Sequence, residues 1–261
     1  SAASDVYKRQ VSKTIISNIE NCLKKCQLSA GNYAGEPFAS ALACLSDYEI
    51  NLGSLVIDIG ASSTSYCVLY DSKLYHIGHI SIGGFNITKD ISTILSISTE
   101  IAEKIKNLNN TLIISPIEEK EIIKFKSTDS SDDNKISKIA RDELKSIIES
   151  RLAEIFDEIK NDLKSANIPI EMIPNIVLTG GVASTIGIDK LATEIFKKNT
   201  RIGYPTKFNL APNELMNTSS TCALGMLIFL RDRMVSESLR DDFEKNNWFK
   251  TVSYTHLTLP T

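Results

Sequence analysis

This chain of 261 residues has no long apolar run, only three histidines and no excess of basic charge. The longest apolar stretch, Cys222 to Leu230, is far shorter than the roughly 18 residues that cross a bilayer, and no secretory signal is visible. The formal charge of −3 gives no reason to expect nucleic-acid binding, which normally shows a basic stripe. These absences predict a cytoplasmic protein.

The five cysteines and three histidines do not form the pattern of a metal site. Structural zinc usually takes four nitrogen or sulfur ligands at a recognisable spacing. Cys22 and Cys26 are four residues apart on a predicted amphipathic helix, so both face the same way. We interpret the cysteines as reduced thiols in the core of a cytosolic protein.

Both ends of the chain break with the sequence beside them. Residues 1–10 begin without methionine, and residues 252–261 do not continue the charged segment before them. Both resemble translated adapter sequence, although native frayed termini are the alternative. We leave them out of the fold prediction and expect the natural protein to extend beyond both ends.

Two glycine turns, each after a short apolar strand, are the strongest functional signal. The first strand ends in Asp58 and Gly60, and the second ends in Gly180 and Gly181. Glycine accepts positive φ and lets backbone N–H groups approach a ligand closely. Turns rich in N–H and hydroxyl donors form concavities suited to phosphate. Together the turns predict two walls of one nucleotide cleft.

The pattern of the whole chain is an α/β unit interrupted by a mostly helical insert. A polar, acidic loop is predicted over residues 127–134, with a strand before it and a long helix after it. The predicted strands are Leu55 to Ile59, Ser65 to Tyr70, Leu74 to Ile82, Glu121 to Lys126, Ile176 to Thr179 and Arg201 to Tyr204. The predicted helices are Val11 to Cys26, a short one from Pro37, two over residues 86–110, Ile136 to Leu163, Ile188 to Lys198 and Thr218 to Leu230.

The first turn carries residues suited to phosphate chemistry. Asp58 would hold Mg²⁺ through water or orient an attacking water. The hydroxyl and N–H groups of Ser62, Ser63 and Thr64 would meet the terminal phosphate. Alternatively, Asp58 caps the turn and the hydroxyls bond to their own backbone.

The second turn and the long helix supply candidates for the nucleoside. A purine could lie over the bare backbone of Gly180 and Gly181, although a tight strand-to-helix turn is the simpler explanation. Arg151 and Glu154 could reach a ribose from the long helix. They could equally form a solvated face, which is the commoner role of such charges.

These residues, in this order, resemble the actin–Hsp70–sugar kinase superfamily. Asp58-x-Gly60-x-x-Ser63-Thr64 looks like its second phosphate loop, and Leu178-Thr179-Gly180-Gly181 looks like its adenosine loop. Within that superfamily the chain is similar to the FtsA family of bacterial cell-division proteins. The segments that carry this resemblance are Gly35-Glu36-Pro37-Phe38-Ala39-Ser40, Arg201-Ile202-Gly203-x-Pro205 and Ser220-Thr221-Cys222-Ala223-Leu224-Gly225.

The resemblance implies an α/β actin-like (ribonuclease H-like) fold whose N-terminal half is missing. Subdomain 2A would comprise residues 11–88 and 166–235, and the inserted, mostly helical α/β subdomain 2B would comprise residues 89–165. Residues 236–251 would be a linker and the start of a membrane-targeting helix.

The resemblance also implies function. The family binds ATP, polymerises, and tethers FtsZ to the inner membrane, with the FtsZ C-terminal tail bound by subdomain 2B. ATP and Mg²⁺ would then be the cofactors. The phosphates would meet Asp58, Gly60, Ser62, Ser63 and Thr64, and the adenosine would meet Gly180, Gly181, Val182 and Ala183.

Membrane attachment and turnover follow from the same resemblance. Trp248 and Phe249 would open an interfacial helix on the cytoplasmic face of the inner membrane. We expect at most weak ATPase activity in the complete protein. The fragment is expected to be inactive, because both turns would belong to the same half of the cleft and the opposing half is missing. The alternatives are a kinase-type enzyme of the superfamily, and a pilus-assembly-type adaptor without turnover. Ala61 and Ser62, where the family is commonly richer in glycine, are the sequence hint for the adaptor.

Overall fold

The computed structural model describes residues 13–31, 33–126, 136–207 and 212–232. The predictions for residues 1–10, 127–134, 236–251 and 252–261, including Trp248 and Phe249, lie outside these ranges. The strands are β1 (Ser54–Ile59), β2 (Thr64–Tyr70), β3 (Lys73–Ile80), β4 (Ile122–Lys126), β5 (Ile136–Ala140), β6 (Asn175–Thr179) and β7 (Asn199–Ile202). The helices are α1 (Lys13–Lys25), α2 (Glu36–Cys44), α3 (Asp47–Leu52), α4 (Gly84–Leu95), α5 (Thr99–Leu108), α6 (Arg141–Ser165), α7 (Ile188–Phe196) and α8 (residues 221–232).

A five-stranded mixed sheet in the order β3-β2-β1-β6-β7 organises the fold. The β1–β2 and β2–β3 pairs are antiparallel, whereas β1–β6 and β6–β7 are parallel. Every residue of β1 is buried, which fits its nearly continuous apolar sequence and its central position between two covered faces. The carboxyl ends of β1 and β6 therefore lie side by side at one edge of the sheet.

Helices cover both faces of the sheet, and the alternation along β1 decides which side chain faces which layer. Leu55, Ile57 and Ile59 belong to a large apolar core that includes side chains of α6 and α7. Val56 faces the opposite layer, where it packs with side chains of α2. Asp58 is two residues after Val56, so both side chains lie on the same face of the sheet, and the Asp58 carboxylate faces the α2 side.

Between β3 and β6, residues 84–126 and 136–165 contain α4, α5, the β4–β5 ribbon and α6, and we call this stretch the insert; the predicted boundary at residue 89 falls inside α4. The 25-residue α6 is the longest helix and buries one side along most of its length. Its last turns reach the sheet unit, where Tyr66 of β2 donates a hydrogen bond to Asp162. No helix in the described part of the chain combines the length and apolar character needed to cross a membrane.

The long helix begins later than the sequence predicts. Residues 136–140 form β5, which pairs with β4 so that Ile139 lies opposite Ile123. Ile139 is buried, and the five-residue step from it to Leu144 already departs from helical spacing. The helix prediction was therefore wrong for this segment, because a buried strand residue resembles the first apolar position of a helix.

The N-terminal helix forms as predicted, but its apolar side is exposed. None of the residues of α1 is buried, and Ile15 and Ile19 are 55% and 46% exposed. Cys22 and Cys26 are exposed, so the prediction of core thiols is wrong for these two. It is right for Cys44 and Cys67, which are buried beside the sheet.

Helix α8 packs so closely on α2 that it requires glycine at position 225. A Cβ there would overlap the carbonyl oxygen of Ala39 and lie 3.1 Å from its Cα. We expect Gly225→Ala to destabilise the protein by about 2 kcal/mol or more despite alanine's better helix propensity, because both clashing atoms are backbone. Urea unfolding measures this. Gly31→Ala, where a Cβ meets nothing within 4 Å, is the control; equal stability of the two variants would contradict the packing.

Candidate functional site

The two glycine turns lie in direct backbone contact at the shared carboxyl edge of β1 and β6. Asp58 pairs with Thr179 in the parallel ladder, so the turns that follow are neighbours. Gly180 has φ of +88°, and a Cβ there would overlap the Asp58 carboxylate and lie 2.5 Å from the Ile59 carbonyl oxygen. Any side chain at this position would push the two turns apart.

Carbonyl groups of the turn at residues 60–63 accept hydrogen bonds from the turn itself and from the start of α4. The Gly60 N–H donates to Ser63 O at 2.9 Å, which closes the turn. The N–H groups of Gly84 and Phe85, at the start of α4, donate to Gly60 O and Ala61 O at 2.9 and 2.6 Å. Among the described residues, the N–H groups of residues 61–63 have no backbone acceptor. Successive free N–H groups of this kind form an anion-binding concavity.

The hydroxyls of this turn divide into two groups. Thr64 is fully buried and donates to Ile82 O at 2.8 Å, so its side chain holds the hairpin. Ser62 is exposed and Ser63 is half-buried. Neither serine hydroxyl has a hydrogen-bond partner in the described part of the chain, so both are available to a ligand.

Asp58 is a buried carboxylate with few partners. It is 6% exposed and accepts a hydrogen bond from Ser40 Oγ at 2.5 Å. Burial raises the pKa of Asp58 to about 6; the Ser40 bond opposes this rise and the charge of Glu36 adds to it. Ser65 lies opposite Asp58 in the β1–β2 ladder, and its buried hydroxyl has no hydrogen-bond partner among the described residues.

Helix α2 contributes Glu36 and Ser40, which sequence reasoning did not assign to the site. Both belong to the Gly-Glu-Pro-Phe-Ala-Ser segment that carried the family resemblance. Sequence alone could not place that segment over the end of β1, because a residue's neighbours across a sheet face depend on tertiary packing.

A cavity of about 320 Å³ joins the two turns to the insert. Its walls come from Gly60 and Ala61 of the first turn, the start of α4, helix α5 and the turn after β6. The lining includes Gly60, Ala61, Phe85, Glu103, Lys106, Gly181 and Val182, whereas the predicted site residues Asp58, Ser62, Ser63, Thr64 and Gly180 lie outside it. The predicted phosphate and adenosine turns therefore face one shared space.

The second turn presents backbone to this cavity. A Cβ on Gly181 would meet nothing within 4 Å, so its α-carbon faces open space. Val182 lines the cavity, while Ala183 is buried behind it. The residue before this turn, Thr179, is held in place by a hydrogen bond, since its hydroxyl lies 2.8 Å from the hydroxyl of Thr221.

Arg151 and Glu154, the predicted ribose contacts, do not line the cavity. Arg151 forms two 2.7 Å hydrogen bonds with the Asp90 carboxylate and a further ion pair with Glu154. Arg151 and Glu154 are therefore both engaged in ion pairs within the insert.

Glu103 and Lys106 of α5 are the charged residues that do line the cavity. The Lys106 ammonium donates to Gly84 O at 3.1 Å, Thr88 Oγ1 at 2.8 Å and Glu103 Oε2 at 2.6 Å. The sequence shows the i,i+3 spacing of Glu103 and Lys106 on a predicted helix. It does not show which side of α5 faces the sheet.

Sequence comparison matches most of the chain to one family. A sequence model of the family described as Cell division protein FtsA matches residues 55–225. The Cell division protein FtsA of Agrobacterium fabrum is 28% identical over 225 residues, covering 86% of this chain and 51% of its own length. That of Bacillus subtilis is 33% identical over 205 residues, covering 78% and 46%. The chain thus spans about half the length of the curated relatives it matches.

Solved structures share the fold at lower identity. MreB5 of Spiroplasma citri bound to ADP superimposes with a TM-score of 0.70 at 20% identity, covering 89% of this chain and 69% of that one. A chain of the PilM–PilN type IV pilus biogenesis complex gives a TM-score of 0.56 at 20% identity, covering 80% and 56%. At these identities the likeness concerns the fold alone.

Replacing the buried Asp58 carboxylate should stabilise the protein at alkaline pH. Because the folded pKa is raised to about 6, above its unfolded value, the folded state holds this proton more tightly and loses stability as pH rises through 6. We expect Asp58→Asn to increase the free energy of unfolding by on the order of 2 kcal/mol at pH 8 and to have little effect at pH 4.

Urea unfolding at both pH values measures this effect. Asp71→Asn is the control, because Asp71 is exposed and asparagine tolerates its left-handed backbone equally well. If Asp58→Asn instead lowers the Tm or the unfolding free energy at pH 8, the carboxylate stabilises the turn and the prediction is wrong.

Proposed function

The chain belongs to the FtsA family of cell-division proteins, and from that premise we propose that the complete protein binds ATP, polymerises and tethers FtsZ to the inner membrane at the septum. The fold is actin-like, as the sequence predicts. Because the chain covers about half the length of its relatives, these activities are proposed for the complete protein.

The observation that supports ATP binding is the single cavity faced by both glycine turns. The free N–H groups of residues 61–63 and the hydroxyls of Ser62 and Ser63 would hold the phosphates. The adenosine would lie over Gly181 and Val182, with Glu103 in reach of the ribose hydroxyls. Gly60 and Gly180 allow the close approach of backbone, and Thr64 and Ala183 support the two turns from within.

Mg²⁺ fits the donor set beside the phosphate turn. Asp58 supplies a hard carboxylate oxygen, the ligand type that Mg²⁺ prefers, and its Oδ1 accepts no hydrogen bond from the described residues. We propose that Asp58 holds the ion through water. A bound Mg²⁺ would neutralise phosphate charge; the protein's own contribution is to position the carboxylate through Ser40.

The insert is the proposed site for the FtsZ C-terminal tail. It exposes large apolar side chains at the start of its ribbon, where Ile117 and Ile122 are 88% and 54% exposed. Exposed apolar groups close together favour protein contacts. Membrane attachment is proposed for Trp248 and Phe249, which lie outside the described residues.

Filling the adenosine side of the cavity should abolish nucleotide binding without unfolding the protein. Gly181 has no positive φ and faces open space, so Gly181→Leu projects a side chain into the cavity at little cost in stability. We expect its affinity for Mg·ATP to fall at least ten-fold, about 1.4 kcal/mol, with the Tm nearly unchanged. Calorimetric titration of the complete protein measures this.

Gly31→Leu, on the surface away from the cavity, is the matched control for that titration. Unchanged affinity in Gly181→Leu would argue against the cavity as the nucleotide site. For the fragment we expect only weak binding, since half a cleft cannot enclose the ligand; sub-micromolar affinity would contradict this.

An FtsZ C-terminal tail peptide should bind the insert and leave the sheet unit unaffected. Titrating the peptide into isotope-labelled protein should shift amide resonances within residues 84–126 and 136–165, concentrated near Ile117 and Ile122. A scrambled peptide is the control. Shifts confined to the sheet unit, or none at all, would contradict the proposed surface.

A further inference from the structure

The phosphate turn offers N–H and hydroxyl groups but no cationic side chain of its own. Residues 60–63 read Gly-Ala-Ser-Ser, and the adjacent Asp58 is acidic. The polyphosphate of a nucleotide carries several negative charges, and recognition of such groups in proteins usually includes lysine or arginine. A cationic side chain for this turn would therefore come from a neighbouring element.

Two cations of the insert, Lys106 and Arg151, are already engaged in hydrogen bonds. Lys106 lines the cavity, but each of its three N–H groups has an acceptor, in Gly84, Thr88 and Glu103. Arg151 is bound to Asp90 and Glu154 and lies away from the cavity. Either side chain would have to break hydrogen bonds to reach a phosphate.

Lys89 of α4 is in a different situation. Its ammonium lies 5.0 Å from the centre of the Phe85 ring, in a cation–π contact one helical turn from that residue. No carboxylate in the described part of the chain pairs with it. Phe85 is 44% exposed, lines the cavity next to Gly60 and Ala61, and donates its N–H to Ala61 O.

Phe85 thus joins the phosphate turn and Lys89. Its backbone is bonded to the turn, it lines the cavity, and its ring contacts the Lys89 ammonium, although Lys89 itself is not a lining residue. A contact to an aromatic face is weak enough to be exchanged for a charged hydrogen bond when an anion arrives. The lysine stem is flexible, so the ammonium can leave the ring without any backbone movement.

We propose that Lys89, held against the Phe85 ring, leaves it to bind the terminal phosphates of the nucleotide that occupies the turn at residues 60–63. This inference rests on the proposed ATP site and adds to it a binding residue from α4. It also assigns Phe85 as a positioning residue, which holds the cation near the turn while the site is empty.

The test compares ligands that differ in phosphate number. Binding of ATP, ADP, adenosine and inorganic tripolyphosphate is measured in the complete protein for the wild type and Lys89→Met. We expect Lys89→Met to weaken ATP and tripolyphosphate about five-fold, which corresponds to ~1 kcal/mol, and ADP less, while adenosine is unchanged. The loss for ATP should shrink as salt is raised, because the contact is exposed.

Lys104→Met removes an exposed lysine of α5 that does not contact the Phe85 ring, so it is the matched control for net charge. Phe85→Leu should give a smaller loss for ATP than Lys89→Met, because the ammonium remains but has lost its aromatic contact. A Tm within about two degrees of wild type confirms that each variant is folded. We expect this result because the side chains of Phe85, Lys89 and Lys104 are all exposed.

Two results would overturn the inference. In the first, the wild type binds ATP, but Lys89→Met binds ATP and tripolyphosphate as tightly as the wild type does, or its affinity for adenosine falls as much as its affinity for ATP. Lys89 then does not contact the phosphates, although the proposed nucleotide site remains supported. If the wild type binds none of the four ligands, the proposed ATP site is wrong and this inference is overturned with it.

Discussion

Close backbone contact between two turns is the constraint on which the site depends. Gly180 packs against the end of β1, since a Cβ added to it would lie 2.5 Å from the Ile59 carbonyl oxygen. On the other side of the same turn, a Cβ on Gly83 would lie 2.7 Å from both Gly60 O and Ser63 N. The turn at residues 60–63 is therefore enclosed between two glycine backbones. Its shape is set by main-chain packing, so the side chains at 62 and 63 are left free for a ligand.

The insert helps to build this site, since it is bonded to both turns. Lys106 of α5 donates to Gly84 O, and the N–H of Gly84 in turn donates to Gly60 O. At the other end of the cavity, Asn110 accepts a hydrogen bond from Thr185 at 2.7 Å. The position of α5 and the shape of the cavity are thus linked through hydrogen bonds. A movement of the insert would have to break these contacts or carry the turns with it.

How far the sequence predicts this arrangement depends on whether a feature is local. The turns after β1 and β6 follow from short apolar strands that end in glycine, and the structure contains both. The exposed apolar side of α1 and the strand β5 were not predicted, because periodicity records which side chains are apolar and not what covers them. Arg151 was a candidate by charge, but its partner Asp90 lies 61 residues away in sequence. Such a pairing is decided by how α4 and α6 pack.

The charges at the end of β1 bear on the proposed joint binding of metal and nucleotide. Asp58 is held in a buried position that raises its pKa, so its ionised form is disfavoured until a cation is near. A phosphate placed on the neighbouring N–H groups would repel the same carboxylate, because both are negative. A divalent cation between them turns that repulsion into attraction on both sides. The local cation Lys106 cannot take this role without giving up its bonds to Gly84 and Glu103. Under the proposed function, a phosphate would therefore bind this turn more tightly with its metal than without it.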